Sequence, residues 1–240
     1  MTNYNVMEDE DGEFMIIPER FLWYMLECLC IAGLLLERGE LEQNPMSDWK
    51  PIVHRDLKVS NVFLGLPIEG NFCRYPVPKI GDFGLAAYLT NGELFPQGEF
   101  GTPANYPIEH SPDWLRDMNF DPKEWPMTSK ANVWGIANIV ASLAIRTEGF
   151  KELEDLRECQ EPTFRQEEKD AYSAELLELL CDCMSFDPKA RPDLVQVLST
   201  TLGVNASMRD EPAVSDAWSD CNLHRRAIDM VRQFFAPGSN

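Results

Sequence analysis

The stretch His54-Arg55-Asp56-Leu57-Lys58-Val59-Ser60-Asn61 decides how this chain is interpreted, together with Gly81-Asp82-Phe83-Gly84 about twenty positions later. In order, the two stretches supply an aspartate, a lysine, an asparagine and a second aspartate. A carboxylate can orient a hydroxyl, a lysine can neutralise a phosphoryl group, and amide and carboxylate oxygens are ligands that Mg²⁺ prefers. Either stretch alone could be an ordinary turn, but the pair at this spacing indicates phosphoryl-transfer chemistry.

The two stretches resemble the catalytic loop and the metal-binding turn of protein kinases. The resemblance continues to the end of an activation segment, the start of a buried central helix and the turn before a late helix. It runs from about Ile17 to about Leu202 and implies a mainly α (α+β) fold, a protein-kinase-like C-terminal lobe of helices with short β-hairpins at the catalytic loop. The stretches concerned are Gly101-Thr102-Pro103 with Pro107-Ile108-Glu109, Ala131-Asn132-Val133-Trp134-Gly135, and Phe186 to Pro192.

The family resemblance implies a role for each of the four chemical residues. Asp56 would orient the acceptor hydroxyl, and Lys58 would contact the phosphoryl group in transfer. Lys58 and Thr102 resemble serine/threonine kinases more than tyrosine kinases. Asn61 and Asp82 would hold the Mg²⁺ that accompanies ATP. The alternative for each residue is ordinary turn or capping chemistry.

Other residues of the two stretches have implied supporting roles. By the same resemblance, Phe63 would form part of the floor under the adenine. His54 and Phe83 would pack together and hold the metal-binding turn, which Gly84 completes.

Arg55 would pair with a phosphorylated activation segment in this family. The segment from Asp82 to Glu109 has few hydroxyl groups, and Glu99 stands near the position where a phosphate is often found. We hypothesise that Glu99 partly replaces that phosphate, although a solvated surface glutamate is the simpler interpretation.

Three further residues belong to the frame of the lobe. Glu109 and Arg191 stand where the family places a buried ion pair. Asn132 stands where kinases usually have an aspartate that binds the backbone of the catalytic loop. A neutral amide accepts hydrogen bonds less strongly than a carboxylate, so we expect a less rigid loop.

The sequence before His54 lacks the features of a kinase small lobe. It contains no Gly-x-Gly-x-x-Gly, and Lys50, its only lysine, lies too close to the catalytic loop to be the strand lysine. We therefore expect a large lobe alone, which by itself binds ATP poorly. Two functions remain open: a serine/threonine kinase whose small lobe is missing from this sequence, or an inactive, pseudokinase-like binding module.

Composition limits the partners. A formal charge of -19 over 240 residues argues against nucleic acid or an anionic membrane. The apolar run from Phe21 to Leu36 is interrupted by Glu27 and too short to span a bilayer. Seven scattered cysteines fit reduced thiols, so we expect an intracellular protein, cytoplasmic or nuclear, that acts on a protein substrate. The oligomeric state stays open.

The pattern along the chain predicts an acidic N-terminal segment (1–16), the kinase lobe (17–202), and a linker with a C-terminal helix (203–240). Within the lobe it predicts helices over 21–38, 129–146, 174–184 and 193–202, the second capped by Ser129. Short strands are predicted over 62–64 and 77–80, joined by an exposed loop. A last helix is predicted over 223–235.

Overall fold

A computed structural model describes residues 16–41, 48–67, 75–95, 100–105, 107–146 and 164–209. Within these ranges the fold is mainly helical with a few short strands, as the sequence predicted. The helices are α1 (Glu19–Arg38), α2 (Pro112–Asp117), α3 (Lys130–Ile145), α4 (Gln166–Ala171), α5 (Ala174–Cys183) and α6 (Leu194–Arg209). The strands are β1 (Ile52–Val53), β2 (Val62–Leu64), β3 (Pro78–Ile80) and β4 (Ala87–Tyr88).

The first helix, α1, begins two residues before its predicted start and ends at Arg38 as predicted. Pro18 precedes it in an extended conformation, and Gly39 ends it with φ of 78° while its N–H donates to the Leu35 carbonyl at 2.9 Å. Such a left-handed residue is a common helix terminus. Because its Phe21–Leu26 stretch is entirely buried, α1 is a core helix.

Helix α3 is buried on all sides, from Ala131 to Ala144. The predicted apolar face is confirmed, but the rest of the helix is buried too. The predicted cap is wrong: the Ser129 side chain accepts no capping hydrogen bond, because Ser129 itself adopts helical backbone angles. The Thr128 hydroxyl instead accepts from the Lys130 N–H at 3.2 Å.

The main core lies between α1, α3, α5 and α6. Helix α6 continues to Arg209, beyond the predicted end at Leu202, and so crosses the predicted boundary between 202 and 203. Buried residues on both sides of Gly203 keep the helix in contact with the core. Thr201 bonds the Val197 carbonyl, and the Asn205 amide donates to Glu27 of α1 at 2.6 Å.

Two small antiparallel sheets position the loops of the candidate site. β1 pairs with β4, and β2 pairs with β3, where Val62 lies opposite Ile80. The loop between β1 and β2 therefore faces the turn between β3 and β4. This topology brings together the two stretches that the sequence singled out, and the predicted strands are confirmed, with β3 starting at Pro78 instead of Val77.

Several predictions lie outside the described residues: the Glu99 hypothesis, the helix over 223–235, and nearly all of the acidic N-terminal segment. Across the ranges that the structure describes, no helix is long and apolar enough to cross a membrane.

Candidate active site

The Asp56 carboxylate lies at the centre of the site and contacts four groups. Its Oδ1 accepts from the backbone N–H and the hydroxyl of Thr102, both at 3.1 Å. Its Oδ2 accepts from the Asn61 amide at 3.0 Å and lies 3.2 Å from Lys58 Nζ. These four contacts fix the orientation of the carboxylate.

Lys58 and Thr102 link the catalytic loop to the end of the activation segment. Lys58 Nζ donates to Thr102 Oγ1 at 2.9 Å. The approach requires Gly101, which has φ of 93° and at which a Cβ atom would lie 2.6 Å from the Arg55 carbonyl oxygen. Only glycine avoids both the conformational strain and this contact, so the sequence Gly-Thr brings a hydroxyl against the aspartate and the lysine.

His54 and Asn132 fix the start of the loop. The Asn132 amide oxygen accepts from the His54 N–H at 3.0 Å, and its nitrogen donates to the Ile52 carbonyl at 2.8 Å. The His54 ring contacts the Gly81 carbonyl at 2.9 Å through Nε2 and the Asp56 N–H at 3.4 Å through Nδ1. A neutral ring satisfies both contacts, and burial lowers the pKa of His54.

Asn61 and Asp82 stand at the same end of the β2–β3 hairpin. The Gly81 N–H donates to the Asn61 carbonyl at 2.9 Å. Asp82 follows Gly81 directly, so this bond brings Asp82 close to Asn61. Asp82 has φ of 58° and is exposed, and its Oδ1 accepts from the Gly84 N–H at 3.3 Å. Asparagine and aspartate tolerate this left-handed region better than most residues.

Phe63 and Phe83 border the Asn61–Asp82 pair. The Phe83 ring lies 5.0 Å from the His54 ring between centroids, and the Phe63 ring packs directly on Gly81. Both phenylalanines are about half exposed, at 55% for Phe63 and 49% for Phe83. They form an apolar surface open to solvent next to the candidate metal ligands.

Arg55 has φ of 67°. Its Nε donates to the Leu85 carbonyl, and its guanidinium lies 5.1 Å from the centroid of the Phe100 ring. The buried His110 is nearby. Burial, then the charge of Arg55, lowers the pKa of His110 to about 4, against a smaller raising effect of its hydrogen bond to the Phe100 backbone.

Glu109 and Arg191 contact each other as a two-armed ion pair, and both side chains are fully buried. Arg191 also donates to the carbonyls of Ser185, at 2.8 Å, and Lys130, at 3.3 Å. The pair joins the end of the activation segment to the turn before α6.

Asn105 and Asn138 are buried site residues that the sequence interpretation missed. The Asn138 amide donates to Asn105 Oδ1 at 3.1 Å, between helix α3 and the turn that follows Thr102. The available signal was an asparagine inside an otherwise apolar helix, because a buried amide needs a hydrogen-bond partner.

The donor set fits a magnesium nucleotide. The two side-chain hydrogen bonds of Asn61 among the described residues both use its nitrogen, which leaves its amide oxygen for a cation. Asp82 adds an exposed carboxylate. Two hard oxygen ligands suit Mg²⁺, which takes its remaining ligands from phosphates and water. No cluster of three or more acidic, histidine or cysteine side chains occurs in the described ranges.

Comparison with known proteins finds relatives that are protein kinases. Chain segments are similar to the G2-specific protein kinase fin1 of Schizosaccharomyces pombe, at 29% identity over 187 residues, and to the G2-specific protein kinase nim-1 of Neurospora crassa, at 31% over 175 residues. A third relative is the serine/threonine-protein kinase Nek9 of Mus musculus, at 25% over 178 residues. The matches cover 75%, 71% and 72% of this chain but only 23%, 18% and 15% of those proteins.

The chain also matches a protein family as a whole. Residues 49–202, more than half of the 240-residue chain, match the sequence profile of the protein kinase domain. This range begins just before β1 and ends within α6, so it includes every residue that the candidate site brings together. The chain therefore belongs to the protein kinase domain family.

Proposed function

We propose that the chain is the C-terminal, large lobe of a serine/threonine protein kinase, which transfers the γ-phosphoryl group of ATP to a hydroxyl of a protein substrate. The observation that carries the proposal is the contact set of Asp56, in which one carboxylate meets the Lys58 ammonium, the Thr102 hydroxyl and the Asn61 amide. The relatives named above are all protein kinases, which supports the same reaction.

Asp56 orients the acceptor hydroxyl and takes up its proton, as the hydroxyl oxygen bonds to the γ-phosphorus and the bond from that phosphorus to the ADP oxygen breaks. The carboxylate is oriented by its four contacts, and Asp56 as a residue retains 8% exposure, through which a hydroxyl can approach. Positioned proton transfer of this kind contributes about 10²–10⁴ in rate. His54 holds the backbone around Asp56 and takes no part in proton transfer.

Lys58 neutralises the phosphoryl group as negative charge moves onto its oxygens. Its ammonium contacts both the Asp56 carboxylate and the Thr102 hydroxyl. These contacts hold the lysine side chain in place before the reaction. Preorganised charge in a partly water-excluded site is a large contribution to such reactions. By resemblance to the family, Lys58 and Thr102 favour serine and threonine acceptors over tyrosine.

Asn61 and Asp82 would hold Mg²⁺, which would offset the charge of the ATP phosphates. Phe63, which is half exposed, would contact the adenine. Arg55 would meet a phosphate or an acidic group of the activation segment. An intracellular location, cytoplasmic or nuclear, belongs to this proposal and is supported by four free thiols among the described cysteines.

A binding module without catalysis is the second candidate function. The observation that favours it is the half-exposed state of Phe63 and Phe83, because exposed apolar side chains can mark an interaction surface. In that case the site residues preserve the shape of the lobe and a protein partner covers the surface.

The experiment that separates the two is phosphoryl transfer by the full-length gene product, with any coding sequence that flanks these 240 residues. The protein is incubated with γ-labelled ATP, Mg²⁺ and a generic protein acceptor, and the labelled amino acids are identified after hydrolysis. The proposal expects phosphoserine or phosphothreonine. Phosphotyrosine would contradict the role of Lys58 and Thr102, and no transfer would favour the binding module.

A further inference from the structure

Two buried asparagines join the substrate side of the site to the central helix. Asn138 lies in the middle of α3 with 0% exposure, and Asn105 ends the short turn after Thr102 with 4% exposure. Their side chains are linked by the hydrogen bond from Asn138 Nδ2 to Asn105 Oδ1, at 3.1 Å. A buried amide is stable only when hydrogen-bonded, so this bond fixes the separation between helix and turn.

Core packing does not account for Asn138. Its neighbours along the helix, Ala137 and Ile139, are buried and apolar, and its Oδ1 accepts no hydrogen bond within the described residues. An aliphatic residue would fill the same place without the cost of an unpaired oxygen. The hydrogen bond that the asparagine does make is directed at the turn.

Asn105 is connected to Asp56 through a single residue, Thr102. The Asn105 N–H donates to the Thr102 carbonyl at 2.9 Å. Thr102 in turn donates to Asp56 through both its N–H and its hydroxyl. A continuous set of hydrogen bonds therefore runs from Asn138 through Asn105 and Thr102 to Asp56.

Helix α3 also contacts the catalytic loop, through residues on the same side of the helix as Asn138. Asn132 binds the backbone on both sides of Val53, and Gly135 lies so close to Leu57 that a Cβ atom would be 2.7 Å from the Leu57 Cβ. With Asn138 these residues recur every third position, which keeps them within one side of a helix. One helix thus contacts the catalytic loop and the activation segment together.

We propose that Asn105 and Asn138 are a positioning pair. The pair holds the turn after Thr102 in place, so that Thr102 stays in contact with Asp56 and the acceptor segment binds in one position. The claim about the acceptor segment rests on the proposed kinase function, and the claim that the pair anchors the turn does not. When the pair is broken, the turn loses its anchor to α3, Thr102 leaves Asp56 more often, and the acceptor hydroxyl is presented less accurately.

The test measures hydrogen exchange of the Thr102 amide by NMR, which needs no catalytic activity. We expect exchange to be faster by about tenfold in Asn138→Leu and in Asn105→Ala. This is the effect expected when the net contribution of one hydrogen bond is lost. The double variant should exchange no faster than the faster single variant, because both remove the same bond.

Asn205→Ala is the matched control. Asn205 is also an asparagine with 0% exposure in a helix, with an amide that donates to Glu27 and an Oδ1 that accepts nothing within the described residues. It joins α6 to α1, away from the site. Asn205→Ala should lower the free energy of unfolding. When the two proteins are compared under conditions of equal global stability, the Thr102 amide should still exchange at the wild-type rate.

The outcomes separate the pair from the proposed function. Wild-type exchange rates in both Asn138→Leu and Asn105→Ala would overturn the pair, and if Asn138→Leu does not fold, Asn105→Ala alone decides. In the full-length gene product the pair variants should raise the KM for the acceptor protein several-fold and leave the KM for ATP unchanged. Faster Thr102 exchange in the pair variants, together with a full-length wild-type protein that transfers no phosphate, would refute the kinase function and keep the anchor.

Discussion

Arg191 and Glu109 meet through two parallel hydrogen bonds, Nη1 to Oε1 at 2.6 Å and Nη2 to Oε2 at 3.0 Å, with both side chains fully buried. The residues are 82 positions apart in sequence. The pair therefore ties the end of the activation segment to the start of α6. Paired geometry of this kind offsets the large cost of removing two charges from water.

Arg191→Ala should destabilise the fold severely. The variant leaves Glu109 as an unpaired buried charge, which costs about 3–5 kcal/mol in the free energy of unfolding. Arg116→Ala is the control, since Arg116 pairs with Asp113 on the surface, where the side chains are 61% and 76% exposed, and such pairs contribute about 0.2–1 kcal/mol. Urea unfolding checks both. Equal, small losses would show that the buried pair does not stabilise the fold.

Asn132→Asp should weaken the protein at neutral pH, although it restores the residue usual in kinases. The Asn132 nitrogen donates to the Ile52 carbonyl at 2.8 Å, and a carboxylate would place two acceptors face to face. We expect a loss of about 1–3 kcal/mol. Because a protonated carboxyl can donate to Ile52, the deficit should shrink as the pH falls. A variant as stable as wild type at pH 7 would contradict this account of Asn132.

Acid should destabilise the protein through His110. Its pKa is lowered from 6.5 to about 4 in the folded state by burial and the charge of Arg55. Between these values the unfolded chain binds more protons, so the free energy of unfolding falls as the pH drops from about 6.5 to 4, by up to roughly 3 kcal/mol. His110→Gln should flatten that part of the urea-derived stability curve. An unchanged slope would show that His110 does not titrate this way.

The sequence predicted those parts of the fold that depend on local patterns. Residues 62–64 and 19–38 form a strand and a helix because their apolar residues and flanking turn residues specify them locally. The end of α6 was missed because Gly203 resembles a terminator, yet the buried Thr201 and Asn205 carry the helix past it. The Asn105–Asn138 bond joins residues 33 positions apart, and no local pattern specifies such a partner.

The 240-residue chain by itself should bind magnesium ATP weakly. The described residues offer the Asn61 and Asp82 oxygens and the exposed Phe63 ring on one side of the nucleotide. A second surface over the phosphates, which supplies much of the electrostatic stabilisation in kinases, is not among them. Isothermal titration calorimetry of the purified chain should show no saturation at micromolar ATP. Saturation there would mean that these residues form a complete nucleotide site.

The most direct measurement of the central claim is phosphoryl transfer from labelled ATP by the full-length gene product, compared between wild type and Asp56→Asn. The asparagine keeps the size of the side chain but cannot accept the acceptor's proton, so the rate should fall by about 10²–10⁴. Circular dichroism and urea unfolding verify that the variant is folded. A folded Asp56→Asn protein that transfers phosphate at the wild-type rate would contradict the assignment of this site.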